Sequence, residues 1–189
     1  KIEVRGDVHD YVSRGSVKLE AALDAFKLTP SGRICLDLGA STGGFSEVML
    51  RRGAEKIYAV DVGSAQLHPK IANDPRVVSL EKTHARDLSP KLIPEPLDFI
   101  ACDVSFISAR KALPPALALS APGACLVVLV KPQFEVGRSG LGKGGIVKPG
   151  FCIVGIVALA SRLPCGIWLN GERAFAAEAS ATGIRVGSN

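Results

Sequence analysis

From residue 37 to residue 45 the chain reads Asp-Leu-Gly-Ala-Ser-Thr-Gly-Gly-Phe. Its glycines fall between an apolar run and a helix-like run, where backbone without side chains can close on a ligand at the carboxyl end of a strand. Asp37, Gly39, Ala40, Ser41, Thr42, Gly43, Gly44 and Phe45 are therefore candidate ligand-binding residues. A second group follows about 20 residues beyond Gly39, the offset at which a strand-end carboxylate accepts both hydroxyls of a ribose. Asp61, followed by Val62, stands there in Tyr-Ala-Val-Asp-Val-Gly. Asp87, in His-Ala-Arg-Asp, is placed to meet an adenine edge. Turn and acid together point to an adenosine-containing ligand, against the plainer reading in which Asp61 or Asp87 caps a following helix or turn. No GxxxxGK[ST] phrase is present, which excludes the usual nucleoside-triphosphate loop. A nicotinamide dinucleotide is the better competitor, but the first turn has an extra residue between its glycines and lacks a third glycine in register.

The elements that must hold these residues can be read from the alternation of apolar and amphipathic runs. An amphipathic helix over 16–26 places Val17, Leu19, Ala21, Leu23 and Phe26 toward a core. Strands are predicted at 33–38, 56–60, 77–80, 97–102 and 124–130, each apolar enough to be covered on both faces. A helix over 45–52 with Gly53 beyond its end separates the first two. Ala121-Pro-Gly123 predicts a turn before the fifth strand, and residues 133–145 a glycine-rich loop carrying Arg138 and Lys143, suited to moving over RNA. Such alternation implies an α/β fold with a Rossmann-like, doubly wound, mostly parallel sheet.

Composition narrows the class without naming a function. With 189 residues, 47% hydrophobic and 22% charged, the chain can bury a core without disulfides. A net charge of +5 favours an anionic partner, while the 5% aromatic content argues against a stacking platform for single strands. The five cysteines form no CxxC pair and no metal-ligand spacing, so reduced core thiols in a cytoplasmic protein are expected, with no metal. The longest apolar stretch, 151–160, is interrupted by Gly155 and falls short of the roughly 20 residues needed to span a membrane.

Five phrases in order carry a resemblance: Tyr11-Val-Ser-Arg-Gly-Ser-Val-Lys18-Leu-Glu, Asp37 to Phe45, Val60-Asp-Val-Gly63, Asp103-Val-Ser-Phe-Ile-Ser108 and Val130-Lys-Pro-Gln-Phe-Glu135. From about residue 7 to Val147 the chain resembles the TlyA (haemolysin A) family of FtsJ-like ribosomal RNA 2′-O-methyltransferases. The resemblance implies a fold of the S-adenosylmethionine-dependent methyltransferase type, S-adenosyl-L-methionine as cofactor, and ribosomal RNA or a ribosomal subunit as partner. It also implies a Lys-Asp-Lys-Glu catalytic set, three of whose members fall on Lys18, Asp103 and Lys131. Asp103 would also serve the cofactor site. A ribose hydroxyl needs a base to become nucleophilic, and a second cation near Lys131, such as Lys18, would help it serve, with Asp103 orienting both. Ordinary roles compete: a solvated lysine, an N-cap at Asp103, a strand-end cation at Lys131. Phe106 and Phe134 read as packing residues rather than base-stacking ones.

The expected division is an N-terminal segment and helix over 1–30, a methyltransferase core over 31–147, and a divergent segment over 148–189 completing the same domain. Two departures from the family pattern stand out. About ten residues precede Tyr11, too few for the S4-like RNA-binding domain the family usually carries. After Lys148 the match fades, and in the nearest register Ala174 takes the place of the catalytic glutamate, with Glu172 or Glu178 as substitutes. Two alternatives follow: a cofactor- or RNA-binding protein that has lost turnover, and a membrane-active haemolysin-like protein. No stable membrane association is expected. The target nucleotide and the oligomeric state are not legible.

Overall fold

The computed structural model describes residues 10–136, 139 and 141–146, and beyond them the strands at 155–160, 163–169, 172–180 and 183–186 as backbone. In chain order the elements are α1 (Gly15–Phe26), β1 (Ile34–Leu38), α2 (Gly44–Arg51), β2 (Lys56–Val60), α3 (Pro69–Ala72), β3 (Val77–Leu80), β4 (Leu97–Cys102), α4 (Ala109–Leu117), β5 (Ser120–Val130) and α5 (Pro132–Glu135). Then follow β6 (Gly155–Ala160), β7 (Leu163–Leu169), β8 (Glu172–Ser180) and β9 (Gly183–Val186). Among the described residues the sheet runs β3-β2-β1-β4-β5-β6-β7-β8-β9. Its first five strands are all parallel, the doubly wound architecture expected, and β6 to β9 extend it as an antiparallel meander. The order reverses between β1 and β4, which opens a crevice at the carboxyl ends of those two strands.

The parallel strands are apolar because both of their faces are covered. Cys35, Ile57, Phe99, Ala101, Cys125 and Val127 pack with α1 and α2 on one side. Leu36, Tyr58, Val60, Ile100, Leu126 and Val128 pack with Ala112, Leu113 and Ala116 of α4 on the other. Cys35, Cys102 and Cys125 are buried free thiols, and burial pushes the pKa values of Cys35 and Cys102 up to about 12. Cys152 lies outside the described residues. Among the described residues, no helix is long and apolar enough to cross a membrane.

Three local expectations change. The buried stripe of α1 is Leu19, Ala22 and Leu23, spaced three and four apart, whereas Val17 and Ala21 are exposed because they lie on the opposite side of the helix. The turn at Ala121-Pro-Gly123 is a bulge inside β5: Leu97 pairs with Ser120 but Phe99 with Cys125, and Gly123 takes up the extra chain at φ 89°. Within 133–145, where a loop was expected, the first residues belong to the helical turn α5 and Lys143–Gly145 form a 3-10 turn. Arg138 lies outside the described residues.

Candidate active site

The glycine turn is shaped by how closely two strand ends approach. Gly39 follows β1 with φ 88°, and a Cβ there would lie 3.0 Å from the carbonyl oxygen of Asp103 and 3.1 Å from Val104 Cα. Backbone on both sides cannot give way, so only glycine fits. Gly43, at φ 91°, faces Leu67 and Ile71, with a Cβ 2.8 Å from Leu67 Cδ1. The Gly39 and Ala40 amides both donate to the Val60 carbonyl, at 2.9 and 3.1 Å, tying the turn to the end of β2. Ser41 and Thr42 are exposed at its crest.

Asp37 and Phe45 serve this turn from beneath. Phe45 is part of the core. Asp37 is fully buried; its Oδ2 accepts from the Ser46 amide at 2.8 Å and the Ser46 hydroxyl at 2.7 Å, fastening the first turn of α2 to β1. Its Oδ1 is buried without a hydrogen-bond partner. Burial pushes this carboxyl up to about 7, against the lowering effect of the Ser46 bonds. The first turn of α1 is held at the same edge, because Ser16 Oγ donates to the Gly44 carbonyl at 2.9 Å.

Asp61 closes the other side of the turn. Its Oδ2 accepts from the Ser41 amide at 2.8 Å and its Oδ1 from the Gly63 amide at 2.7 Å. Each oxygen keeps a second lone pair for a hydroxyl. The helix-cap role fails for Asp61, since the next helix, α3, is capped by His68. Glu81, not foreseen from the sequence, accepts from the Ala65 amide at 2.8 Å and the Gln66 amide at 3.1 Å, and so holds the loop that follows Asp61. Val62 is exposed there. Asp87 ends a 3-10 turn, exposed, 3.7 Å from Arg86.

Beyond β4 and β5 the structure brings Asp103 and Lys131 together. Lys131 Nζ lies 2.7 Å from Asp103 Oδ1, an ion-pair separation. The same nitrogen donates to the Asp103 carbonyl at 3.2 Å and to Ser105 Oγ at 2.6 Å. The Asp103 amide donates to the Leu38 carbonyl at 3.0 Å, which fixes this pair beside the glycine turn. Lys18 does not join them: it is exposed in the first turn of α1 and makes no hydrogen bond or ion pair among the described residues. A carboxylate and a hydroxyl, not a second cation, are what Lys131 meets. β8, which carries Glu172, Ala174 and Glu178, is separated from β5 by β6 and β7, about 14 Å at the usual strand spacing. Phe106 departs from its expected packing role. The residue is 92% exposed, on a backbone at φ 66°, with its ring at a centroid distance of 5.4 Å from that of half-buried Phe134.

An open parallel sheet with a glycine turn and a strand-end acid at its switch point is the Rossmann-like fold of the S-adenosylmethionine-dependent methyltransferases. The chain belongs to the FtsJ-like methyltransferase family, which matches residues 11–152. It is similar to the 16S/23S rRNA (cytidine-2′-O)-methyltransferase TlyA of Mycobacterium tuberculosis, 52% identical over 137 residues, covering 72% of this chain and 51% of that protein. It is also similar to YqxC of Bacillus subtilis, a candidate rRNA methyltransferase, 47% identical over 151 residues, covering 78% and 53%. A solved structure of a hemolysin candidate from Streptococcus thermophilus matches with a TM-score of 0.72 at 46% identity, covering 77% of this chain and 53% of that one. The chain thus spans about half the length of the curated relatives it matches.

Proposed function

We propose that this chain transfers a methyl group from S-adenosylmethionine to a ribose 2′-hydroxyl of ribosomal RNA, with residues 31–147 as its catalytic core and 148–189 completing the same domain. The observation that carries the reading is the Lys131–Asp103 pair at 2.7 Å, set one backbone contact away from the Gly39 turn. The residues present fit the cofactor. Gly39 leaves the space a side chain would fill, Asp61 offers two carboxylate oxygens to a ribose, and exposed Val62 supplies an apolar edge for a base. Asp87 lies on the loop after β3 and completes the adenine side. Bound S-adenosylmethionine supplies an electrophilic methyl.

The chain's own task is to present the acceptor oxygen and remove its proton. Lys131 Nζ, steered by Asp103 and Ser105, takes up that proton as the neutral amine, once the ammonium of the resting ion pair has released its own proton to solvent. Asp103 keeps the lysine over the crevice, and holding oxygen and methyl in line supplies the rest of the acceleration. Lys18, on a long flexible side chain at the same sheet edge, reaches the site when RNA is bound. A basic chain of +5 suits an RNA partner, and its work on ribosomal RNA places it in the cytoplasm.

The test is transfer of a labelled methyl group to ribosomal RNA, followed by mass-spectrometric mapping of the modified nucleotide. Incorporation at a ribose is the expected result. Incorporation at a base, or cofactor binding with no transfer to free RNA or to intact subunits, would overturn the reading and favour a binding protein without turnover.

A further inference from the structure

We infer that Glu135 is a positioning residue that locks together the two loops carrying Asp103 and Lys131; the inference rests on the methyl-transfer reading of that pair. Both loops lie past the last β4–β5 pairing, Cys102 with Val128. The Asp103 backbone is anchored by its amide bond to Leu38, but Lys131 sits on the far side of that junction at the end of a long side chain. Pairing within the parallel sheet therefore does not fix their separation.

Glu135 makes the missing connection. It closes the single turn α5 that begins directly after Lys131, with Pro132 at its first position. Its Oε1 accepts from the Ala109 amide at 2.7 Å and its Oε2 from the Ser108 hydroxyl at 2.7 Å. Ser108 is the N-cap of α4 but makes no side-chain cap bond of its own, and the first turn of α4 contains no acidic residue. A carboxylate from another element thus supplies both the capping acceptor and the negative charge that a helix start favours. The effect is a closed ring: Asp103 to Ser108 along one loop, across Glu135, back through α5 to Lys131, and across the 2.7 Å ion pair to Asp103. The exposed, positive-φ Phe106 lies inside that ring, which therefore also sets a strained segment.

The test compares Glu135→Ala with Glu135→Gln. The amide of glutamine can still accept from Ala109 and donate to the Ser108 hydroxyl, which rotates to receive it. Alanine makes neither bond. Amide hydrogen exchange of the free protein should quicken in Glu135→Ala across both 103–109 and 131–136, and stay near the parent in Glu135→Gln. In the methyl-transfer assay Glu135→Ala should lose about tenfold in kcat with its affinity for S-adenosylmethionine unchanged, and Glu135→Gln should restore the rate. Faster exchange confined to the first turn of α4, or a Glu135→Ala enzyme with its kcat intact, overturns the positioning role. A parent that transfers no methyl group refutes the proposed function instead, while the exchange comparison still decides whether Glu135 joins the loops.

Discussion

Replacing Asp37 by asparagine should make the protein more stable at neutral pH and leave it unchanged in acid. The folded carboxyl is pushed from 3.8 to about 7 by burial, so the native state holds a proton that the unfolded chain has already released between those values. The sign follows from linkage. Where the folded state binds more protons, stability falls as pH rises, here by about 1.4 kcal/mol per pH unit between about pH 4 and 7. A shift of about three units sums to about 4 kcal/mol, fully lost above pH 7 and fully absent as a cost below pH 4. Asparagine keeps an oxygen for both Ser46 bonds and puts an amide where the partnerless Oδ1 lies, so it mimics the protonated acid at every pH. Urea unfolding of parent and variant from pH 3.5 to 8 measures the difference, and comparing the two cancels the titrating groups that do not interact with Asp37. Equal stability near pH 4 that diverges to several kcal/mol by pH 8 is the expected curve. A constant offset at all pH values would refute the reasoning, because it would mean that Asp37 ionises in the fold as it does in water.

Lys131→Met removes the amine that meets Asp103 and Ser105 and should lower methyl transfer by about 10² or more, with cofactor affinity near the parent in calorimetry. Asp61→Ala gives up both the carboxylate and its bonds to the Ser41 and Gly63 amides, so calorimetry should show S-adenosylmethionine binding weakened at least about tenfold while circular dichroism reports an intact fold. Gly39→Ala combines a φ of 88° with a Cβ 3.0 Å from the Asp103 carbonyl, and thermal unfolding should show a loss of about 1–3 kcal/mol together with weaker cofactor binding.

The parts of this molecule that a sequence reveals are those whose cause is local. The five parallel strands were legible because each is a short apolar run covered on both faces, and the glycine turn because Gly39 and Gly43 answer to backbone demands at their own positions. Lys131 and Asp103 were placed by motif, and parallel pairing of β4 with β5 brings those two distant phrases to one edge of the sheet, where the side chains meet at 2.7 Å. What stayed hidden is charge supplied across elements. Glu135 carries no pattern that marks it as the cap of a helix starting at Ala109, since its own surroundings read only as a loop. Glu81 is hidden for the same reason, holding amides at positions 65 and 66 from the end of another strand. Lys18 too was placed by motif alone, since nothing in an α1 that buries Leu19, Ala22 and Leu23 marks an exposed lysine of its first turn as anything but solvated. The bond from Ser16 to the Gly44 carbonyl holds that first turn beside the glycine turn, so an exposed lysine there stands at the edge of the crevice that an RNA strand would enter.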